Sequence, residues 1–495
     1  MRDHFDVLIV GAGVSGIGAA CHLHDKLPRK TYAILEARDA IGGTWDLFRY
    51  PGIRSDSALH TFGYAFKPWN SDQALADGPA IREYIREAAE ERGVIRHIHF
   101  GHKVVRAEWS SDDAQWTVEA ERADTGERVE MTARWLFGAT GYYDYDKGYT
   151  PEFEGVDRFG GRVIHPQHWP EDLDYGGKRV VVIGSGATAV TLVPAMTDRA
   201  AHVTMLQRSP SYILPLPSHD AVNDRLRKWL GDERAYALTR RKNILRQRAF
   251  YVLSQRFPRA MRAVIRGVNK KMLQGACDVD VHFKPRYNPW DQRVCVVPNG
   301  DLYRALRTGS ASMVTDRIRT FTERGLLLAS GQELEADIIV TATGLNLKAL
   351  GELDFRVDGD AVDVPERVAY KGMMLSGVPN FAYAIGYTNA SWTLKVDLVC
   401  EYFCRLIEHT DATGADAAVP EVRDPEMPTR PLLDFQAGYV LRALDRLPKQ
   451  GERAPWFLAQ NYYKDARYLR EGDVADDAMR FFKAEAAERA MPLAA

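Results

Sequence analysis

The chain has 495 residues, of which 45% are hydrophobic and 27% charged, a balance that is typical of globular proteins and excludes disordered classes. A formal net charge of −2 and an isoelectric point near 6.7 give no indication of a nucleic-acid partner. Five cysteines argue against a disulfide framework and indicate a cytoplasmic protein, and the lack of Cys-x-x-Cys argues against a dithiol redox centre. Cys400 and Cys404, one helical turn apart, are predicted to be buried thiols, with a metal or redox pair as the alternative.

The first informative segment combines a buried strand, a glycine-rich turn and a helix. The apolar run at residues 5–10 leads into three glycines at the spacing G-x-G-x-x-G, namely Gly11, Gly13 and Gly16. These glycines allow a tight turn, the approach of a pyrophosphate to the backbone, and close packing of helix on strand. A second strand at residues 32–35 ends in Glu36, which can accept hydrogen bonds from ribose hydroxyls. The unit predicts a site for FAD or NAD.

Two pairs of short strands are predicted between and after the nucleotide units. They cover residues 116–118, 135–139, 325–329 and 337–341. Turns at Gly126 and Gly331 follow the first strand of each pair, and each pair ends in Ala-Thr-Gly. We expect these segments to carry the chain from one nucleotide domain to the other.

The second unit repeats the strand, turn and helix at residues 178–189. Its expected cofactor-binding residues are Gly184, Gly186, Ala187, Thr188, Arg208 and Ser209. Arg208 stands at the place that Glu36 holds in the first unit. An arginine there can bind a 2′-phosphate, whereas an acid would repel it. The second site is therefore predicted to bind NADPH, which leaves FAD for the first; the alternative for Arg208 is a surface residue at a strand end.

Composition changes along the rest of the chain. Residues 220–271 are helical in pattern and strongly basic. We interpret them as a helical insertion with solvated charges, and steering of an anionic cofactor or adhesion to an anionic membrane is the alternative. Residues 411–430 are predicted to form a loop, and the tail beyond them a docked helical terminus.

Two longer motifs resemble fingerprints of the Baeyer–Villiger monooxygenases, which are class B flavoprotein monooxygenases. Phe159 to Pro170 matches F-x-G-x-x-x-H-x-x-x-W-P, and Gly42 to Asp56 matches G-G-x-W-x-x-x-x-(F/Y)-P-G-x-x-x-D. Three segments are similar in particular to the ethionamide-activating type, namely residues 165–191, 285–301 and 372–406.

The resemblance implies an α/β fold with two Rossmann-like dinucleotide-binding domains, one for FAD and one for NADPH, and a helical insertion. The FAD domain would comprise residues 1–148 and 345–495, the NADPH domain residues 149–212 and 291–344, and the insertion residues 213–290. It also implies an enzyme that uses NADPH and O2 to form a C4a-peroxyflavin. This species would convert ketones to esters or lactones and would also oxidise sulfides or thioamides.

The resemblance further implies which residues form the site. It places Gly43, Thr44, Trp45 and Asp56 at the FAD, with the essential Arg293 beside the flavin and Asp56 as its partner. Arg293 stays protonated and offers several donors, so it can stabilise a peroxide anion and the oxyanion formed on a ketone. Gln292 replaces a lysine that many relatives have, which leaves more of the NADPH preference to Arg208. His165 is expected to have a structural role.

Two other functions remain open at this point. One is a flavin monooxygenase that oxygenates nitrogen or sulfur without acting on ketones, and the other is a non-enzymatic flavin redox module. No apolar run approaches the roughly 20 residues of a bilayer-spanning helix, so any membrane contact is expected to be peripheral.

Overall fold

The computed structural model describes residues 3–484. Its strands, in chain order, are β1 (Asp3–Val10), β2 (Tyr32–Leu35), β3 (Ile98–His99), β4 (His102–Ser110), β5 (Gln115–Arg122), β6 (Arg128–Gly138), β7 (Tyr143–Gly148), β8 (Arg162–Ile164), β9 (Arg179–Ile183), β10 (His202–Gln207), β11 (Ile213–Leu216), β12 (Cys295–Pro298), β13 (Ala311–Thr315), β14 (Ile318–Thr322), β15 (Gly325–Leu328), β16 (Glu333–Glu335), β17 (Ile338–Thr341), β18 (Leu345–Leu347), β19 (Asp354–Val357), β20 (Asp360–Ala361), β21 (Ala369–Tyr370), β22 (Met374–Leu375), β23 (Phe381–Tyr383), β24 (Ala417–Pro420), β25 (Thr429–Pro431), β26 (Lys449–Gly451) and β27 (Met479–Phe482).

The α-helices flank the strands of the two nucleotide units and predominate between residues 221 and 282. They are α1 (Val14–Lys26), α2 (Thr44–Leu47), α3 (Leu59–Phe62), α4 (Gly78–Glu91), α5 (Ala187–Met196), α6 (Ala221–Leu230), α7 (Asp232–Arg256), α8 (Pro258–Leu273), α9 (Val279–His282), α10 (Asp301–Thr308), α11 (Trp392–Ala412), α12 (Gly438–Leu441) and α13 (Tyr462–Arg470).

The first nucleotide unit lies in a mixed sheet. The strand order is β20-β19-β4-β5-β6-β1-β2-β3, and β23 also pairs with β6. β1 is parallel to β2 and to β6, whereas β4, β5 and β6 form an antiparallel meander. The last four residues of β1 are buried on both faces of the sheet. Val7 and Ile9 pack with α1 and the long apolar helix α11, whereas Leu8 and Val10 lie in a second core on the opposite face.

The second unit forms a separate parallel sheet with the order β13-β10-β9-β17-β8. Residues 180–183 of β9 are buried, which explains their unbroken run of Val and Ile. β7 and β18, which connect the two halves of the molecule, pair with each other. The predicted strands β15 and β17 lie in different sheets, and the turn at Gly331 leads from β15 into the short strand β16.

Helices α6 to α9 occupy most of the predicted insertion. The first residues of the insertion form β11, which pairs with β12, a strand that follows the helices in sequence. The domain boundaries stay a prediction. α7 packs on α6, α8 and α3, so this region rests on both halves of the molecule.

The prediction of a loop at residues 411–430 is wrong at both ends of the segment, where α11 includes residues 411–412 and β25 includes residues 429–430, and it is wrong for residues 417–420. These residues form the buried strand β24, which pairs with β27. The prolines and acids of the segment lie mainly after residue 419, and they hid a short apolar run that pairs with a strand distant in sequence. The predicted docked tail includes α13 and β27, and residues 485–495 lie outside the described residues.

No helix within residues 3–484 meets the length and hydropathy that a bilayer crossing requires. All five cysteines are free thiols, and Cys400 and Cys404 are buried on α11.

Candidate active site

The first glycine turn lies between the carboxyl end of β1 and α1. Gly11 has a φ of +106°, and a Cβ atom there would lie 2.7 Å from the carbonyl oxygen of Ala139. A Cβ on Gly16 would lie 1.9 Å from the carbonyl oxygen of Gly11. Both positions therefore require glycine. Gly13 precedes α1, whose N-terminus has no side-chain cap and no acid in its first turn.

Glu36 closes this turn from the neighbouring strand. Its carboxylate accepts hydrogen bonds from the backbone N–H groups of Ala12 at 2.6 Å and Arg38 at 2.9 Å. Burial raises the pKa of Glu36, and these hydrogen bonds oppose that effect. The carboxylate is thus held at the mouth of the loop, where the sequence predicted a ribose contact.

The start of the second long motif lies against the same turn. A Cβ on Gly43 would lie 3.0 Å from the Cα of Gly13, so the two loops are in contact. The Thr44 hydroxyl is 3.2 Å from the hydroxyl of Tyr145. The ring of Trp45 packs edge-on against Phe62, with ring centroids 5.5 Å apart.

Asp46, which sequence reasoning missed, is the most buried carboxylate of this region and is 1% exposed. It contacts Arg38 at 2.5 Å, Arg82 at 3.0 Å and Arg49 at 3.4 Å. Burial opposes its charge, but the hydrogen bonds from Arg38 and Arg82 lower the pKa of Asp46 below its usual value. The presence of this acid within a largely apolar motif could have indicated a buried, paired carboxylate.

The second glycine turn has the same geometry between β9 and α5. Gly184 has a φ of +147°, and a Cβ there would lie 2.3 Å from the carbonyl oxygen of Ala342. A Cβ on Gly186, which precedes α5, would meet nothing within 4 Å, so this end of the helix faces an open cleft. α5 begins at Ala187 and Thr188 with no side-chain cap.

Arg208 and Ser209 follow β10 at the edge of this cleft, and both are exposed. Within residues 3–484 the Arg208 guanidinium has no hydrogen-bond or ion-pair partner. Leu206 pairs with Ile183 and accepts from the N–H of Gly184, so Arg208 lies two residues beyond the contact with the second glycine turn, and its charge is unpaired.

Arg293 lies between the two nucleotide units. Its Nη1 is 3.4 Å from Oδ2 of Asp56, and both side chains are 34% exposed. Partial burial opposes the charge on Arg293, but Tyr439 and Asp56 outweigh that effect and raise the pKa of the guanidinium well above its usual value. The sequence-predicted pair is thus brought together.

Three tyrosines that sequence reasoning missed, Tyr142, Tyr143 and Tyr439, surround Arg293. Burial raises the pKa of Tyr143 and Tyr439 to about 12, so both hydroxyls stay protonated at neutral pH. Tyr142 and Tyr143 directly follow the first Ala-Thr-Gly, which could have indicated them. Tyr439 is distant from Arg293 in sequence, and no motif around it indicated a role in the site.

The end of the second long motif touches the second nucleotide unit at every other residue. The Tyr50 hydroxyl faces Thr188, and a Cβ on Gly52 would lie 2.6 Å from the side chain of Ala195. Arg54 is 3.5 Å from Asp301 on α10, and Asp56 faces Arg293. We refer to residues 50–56 as the bridging loop.

His165 lies where the chain crosses between the two halves. Its Nε2 donates to the carbonyl oxygen of Gly344 at 3.1 Å, and its Nδ1 accepts from the N–H of Gln167 at 3.2 Å. Burial lowers the pKa of this histidine. Because both ring nitrogens are occupied, the geometry favours the structural role over proton transfer.

Comparison with known proteins connects this geometry to a family. The sequence profile described as flavin-binding monooxygenase-like matches residues 5–350. The chain belongs to the flavin-binding monooxygenase-like family. The FAD-containing monooxygenase EthA of Mycobacterium tuberculosis is 54% identical to it over 98% of this chain and 99% of its own length.

Solved monooxygenase structures share the fold of this flavin-binding monooxygenase-like chain. A steroid monooxygenase bound to NADP superposes with a TM-score of 0.74 at 23% identity, covering 97% of this chain and 100% of its own. Cyclohexanone monooxygenase bound to ε-caprolactone gives a TM-score of 0.73 at 21% identity, with the same coverage. The predicted α/β fold and the predicted class of flavoprotein monooxygenase are confirmed.

The residues present fit the dinucleotide that the flavin-binding monooxygenase-like family requires. The backbone N–H groups at the start of α1 are uncapped, and the adjoining glycines leave no side chain between them and a pyrophosphate. Glu36 lies beside this helix end, where a ribose would follow. The start of α5 has the same free N–H groups, with Arg208 in the position of the acid.

Proposed function

We propose that this flavin monooxygenase contains FAD, uses NADPH and O2, and converts ketones to esters or lactones, with sulfides or thioamides as further substrates. The Arg293–Asp56 pair carries the proposal, because it places a permanent cation between the two nucleotide units. EthA, a relative named as FAD-containing, and the neighbours bound to NADP and to ε-caprolactone support it.

The site residues divide between the two cofactors in this proposal. Gly11, Gly13, Gly16, Glu36, Gly43, Thr44, Trp45 and Asp56 would hold FAD, and Gly184, Gly186, Ala187, Thr188, Arg208 and Ser209 would hold NADPH. An acid at the first ribose position favours a cofactor without a 2′-phosphate, and an arginine at the second favours one that has it. FAD supplies the redox chemistry when bound, storing the two electrons of NADPH and activating O2.

The chain's own contribution to the reaction is the charge and orientation of a few groups. Arg293 can stabilise the negative charge that develops on the oxygen of a ketone under attack, because its guanidinium is fixed beside the Asp56 carboxylate. Tyr142, Tyr143 and Tyr439 lie beside the same guanidinium and interact with its charge. Protonated hydroxyls of these tyrosines can donate to the same oxygen.

The test is the variant Arg293→Ala, compared with Arg286→Ala as a matched change of an exposed arginine nearby. We expect ester formation from a simple ketone to fall by at least about 100-fold, the usual cost of removing an oxyanion donor. Flavin reduction by NADPH without O2 should persist in both variants. The measurements are product chromatography and anaerobic stopped-flow absorbance.

The same measurements separate the alternatives. Undiminished ester formation in Arg293→Ala would remove this residue from catalysis. A wild-type enzyme that oxygenates a simple sulfide but no ketone would assign the chain to the nitrogen- and sulfur-oxygenating monooxygenases. NADPH oxidation without any oxygenated product would contradict both proposed substrate classes, ketones as well as sulfides or thioamides.

A further inference from the structure

A surface built by helices α6, α7 and α8, which we call the basic face, is not used by the proposed reaction. Residues 221–273 contain fifteen Lys and Arg residues and three Asp and Glu residues, although the whole chain has a formal net charge of −2. The positive charge of the molecule is thus concentrated on one helical layer, and the remainder is acidic.

Part of this charge is structural. Arg240 is buried and donates to Asp397 at 3.1 Å, and Lys242 contacts Asp220 at 2.6 Å. Arg227 and Arg266 also form ion pairs, Arg262 donates to the carbonyl oxygen of Pro285, and Arg248 and Arg256 lie over aromatic rings. Eight further cations are exposed, and within residues 3–484 they have none of these contacts: Arg225, Lys228, Arg234, Arg241, Arg246, Arg259, Lys270 and Lys271. A folded chain gains nothing from eight like charges that face water together.

Large apolar side chains are exposed on the same helices. Trp229 at the end of α6 is 86% exposed, Leu245 is 56% exposed, and Phe257, which joins α7 to α8, is 52% exposed. Of the fourteen exposed large hydrophobic residues within the described chain, ten lie between residues 222 and 281. Single exposed apolar residues are common, but such a concentration marks a surface that meets another apolar phase.

The two types of side chain alternate along α7. One stripe of its outer face is formed by Arg234, Leu238, Arg241, Leu245, Arg248 and Val252. The spacing of three and four residues puts these side chains on one side of the helix. Every cation on this stripe is therefore flanked by an aliphatic group.

We propose that the basic face binds the surface of an anionic lipid bilayer. Arginines on such a face reach lipid phosphates with their guanidinium groups, while the aliphatic and indole groups enter the boundary between headgroups and acyl chains. The opposite charges attract, which satisfies the eight unpaired cations. In a twofold dimer this face would instead meet its own copy and bring cations against cations.

The first experiment measures binding of the full-length, FAD-loaded protein to vesicles by co-sedimentation. We expect binding to vesicles of equal parts phosphatidylcholine and phosphatidylglycerol, little binding to phosphatidylcholine alone, and loss of binding in about 0.5 M salt, where charges are screened beyond about 4 Å. Equal binding to both vesicle types, or to neither, would overturn the proposal.

Charge removal gives the second arm. The triple variant Arg234→Gln/Arg241→Gln/Arg246→Gln should weaken vesicle binding by about 100-fold, since each cation near an anionic surface contributes about fivefold. The control is Arg29→Gln/Arg319→Gln/Arg423→Gln, three exposed arginines that lie elsewhere and lack polar side-chain partners within the described chain. Equal losses in the two triple variants would show that only net charge matters and would refute a specific face.

The third arm tests insertion of the apolar groups. Brominated phosphatidylcholine mixed with phosphatidylglycerol should quench part of the tryptophan fluorescence of the wild type, and Trp229→Phe should lose most of that quenching. Phe100→Ser, a change of an exposed aromatic residue outside the basic face, is the control. Retained quenching in Trp229→Phe would contradict insertion of this face into lipid. If the wild type self-associates without binding vesicles, and the triple variant does not self-associate, the face would be assigned to contact between copies of the chain instead.

Discussion

At the scale of single residues, we propose that Arg208 sets the preference for NADPH. It is exposed at the end of β10, and no residue within 3–484 pairs with its guanidinium, so a bound 2′-phosphate would be its first polar partner. Charge-assisted hydrogen bonds of this kind contribute about 1.5–3 kcal/mol each. Gln292 has a neutral side-chain amide and therefore cannot replace this charge.

Arg208→Ala should therefore raise the KM for NADPH by about 10- to 100-fold and leave the KM for NADH nearly unchanged. The ratio of the two, measured by steady-state flavin-dependent NAD(P)H oxidation, is the readout. Arg319→Ala, another exposed arginine of the second unit, should not change this ratio. An unchanged preference for NADPH in Arg208→Ala would mean that the phosphate is bound elsewhere.

At the scale of elements, α3 packs against α7 through His60. His60 is 1% exposed, and in the described chain neither of its ring nitrogens has a hydrogen-bond partner. Burial lowers the pKa of His60 to about 4, from an ordinary value of 6.5. The unfolded chain therefore binds a proton at this site between these two pH values, whereas the folded chain does not.

Because the unfolded state binds the additional proton, His60 destabilises the fold as the pH falls from 6.5 to about 4, by about 3 kcal/mol at the lower limit. We expect His60→Phe to melt close to the wild type at pH 8 and above it at pH 5, measured as apparent thermal midpoints. The same change at the exposed His24 should produce no such crossover. Parallel pH profiles for wild type and His60→Phe would contradict a neutral buried histidine.

Some secondary-structure elements could be predicted from the sequence and others could not. β1, α1, β9 and α5 have boundaries that follow from a local pattern, because an apolar run, a glycine turn and a helix each constrain their own residues. β24 was missed because four residues become a strand only by pairing with β27, which is far away in sequence. The local composition around it favoured a loop.

For the whole molecule, the bridging loop joins the two nucleotide units. Its residues at positions 50, 52, 54 and 56 contact the second unit, while the same motif begins at the first glycine turn. The motif thus spans the two nucleotide units, although residues 50–53 form a turn rather than a strand. A shift of the loop would move Asp56 and its partner Arg293 relative to both cofactors.

Gly52→Ala is expected to cause such a shift, because its Cβ would lie 2.6 Å from Ala195. Flavin content should be retained while the rate of flavin reduction by NADPH falls by about 10- to 100-fold, the usual effect of a misplacement near 1 Å. Gly177→Ala is the control, since it also has a positive φ but would meet nothing within 4 Å. Equal rates in the two variants would exclude the bridging loop as a coupling element.

The sequence by itself determined the two strand–glycine–helix units and the acid and the arginine that follow them. Its resemblance to a known family in residues 42–56 and 285–301 also indicated the Arg293–Asp56 pair. These features could be predicted because a positive φ, a missing Cβ or a terminal charge is a property of one short segment. Only the tertiary structure decided three other features: the position of three tyrosines next to Arg293, the burial of Asp46 among three arginines, and the exposed face of α7. They depend on which distant segments exclude water from a given side chain, and burial of this kind is set by packing between elements rather than by any local pattern.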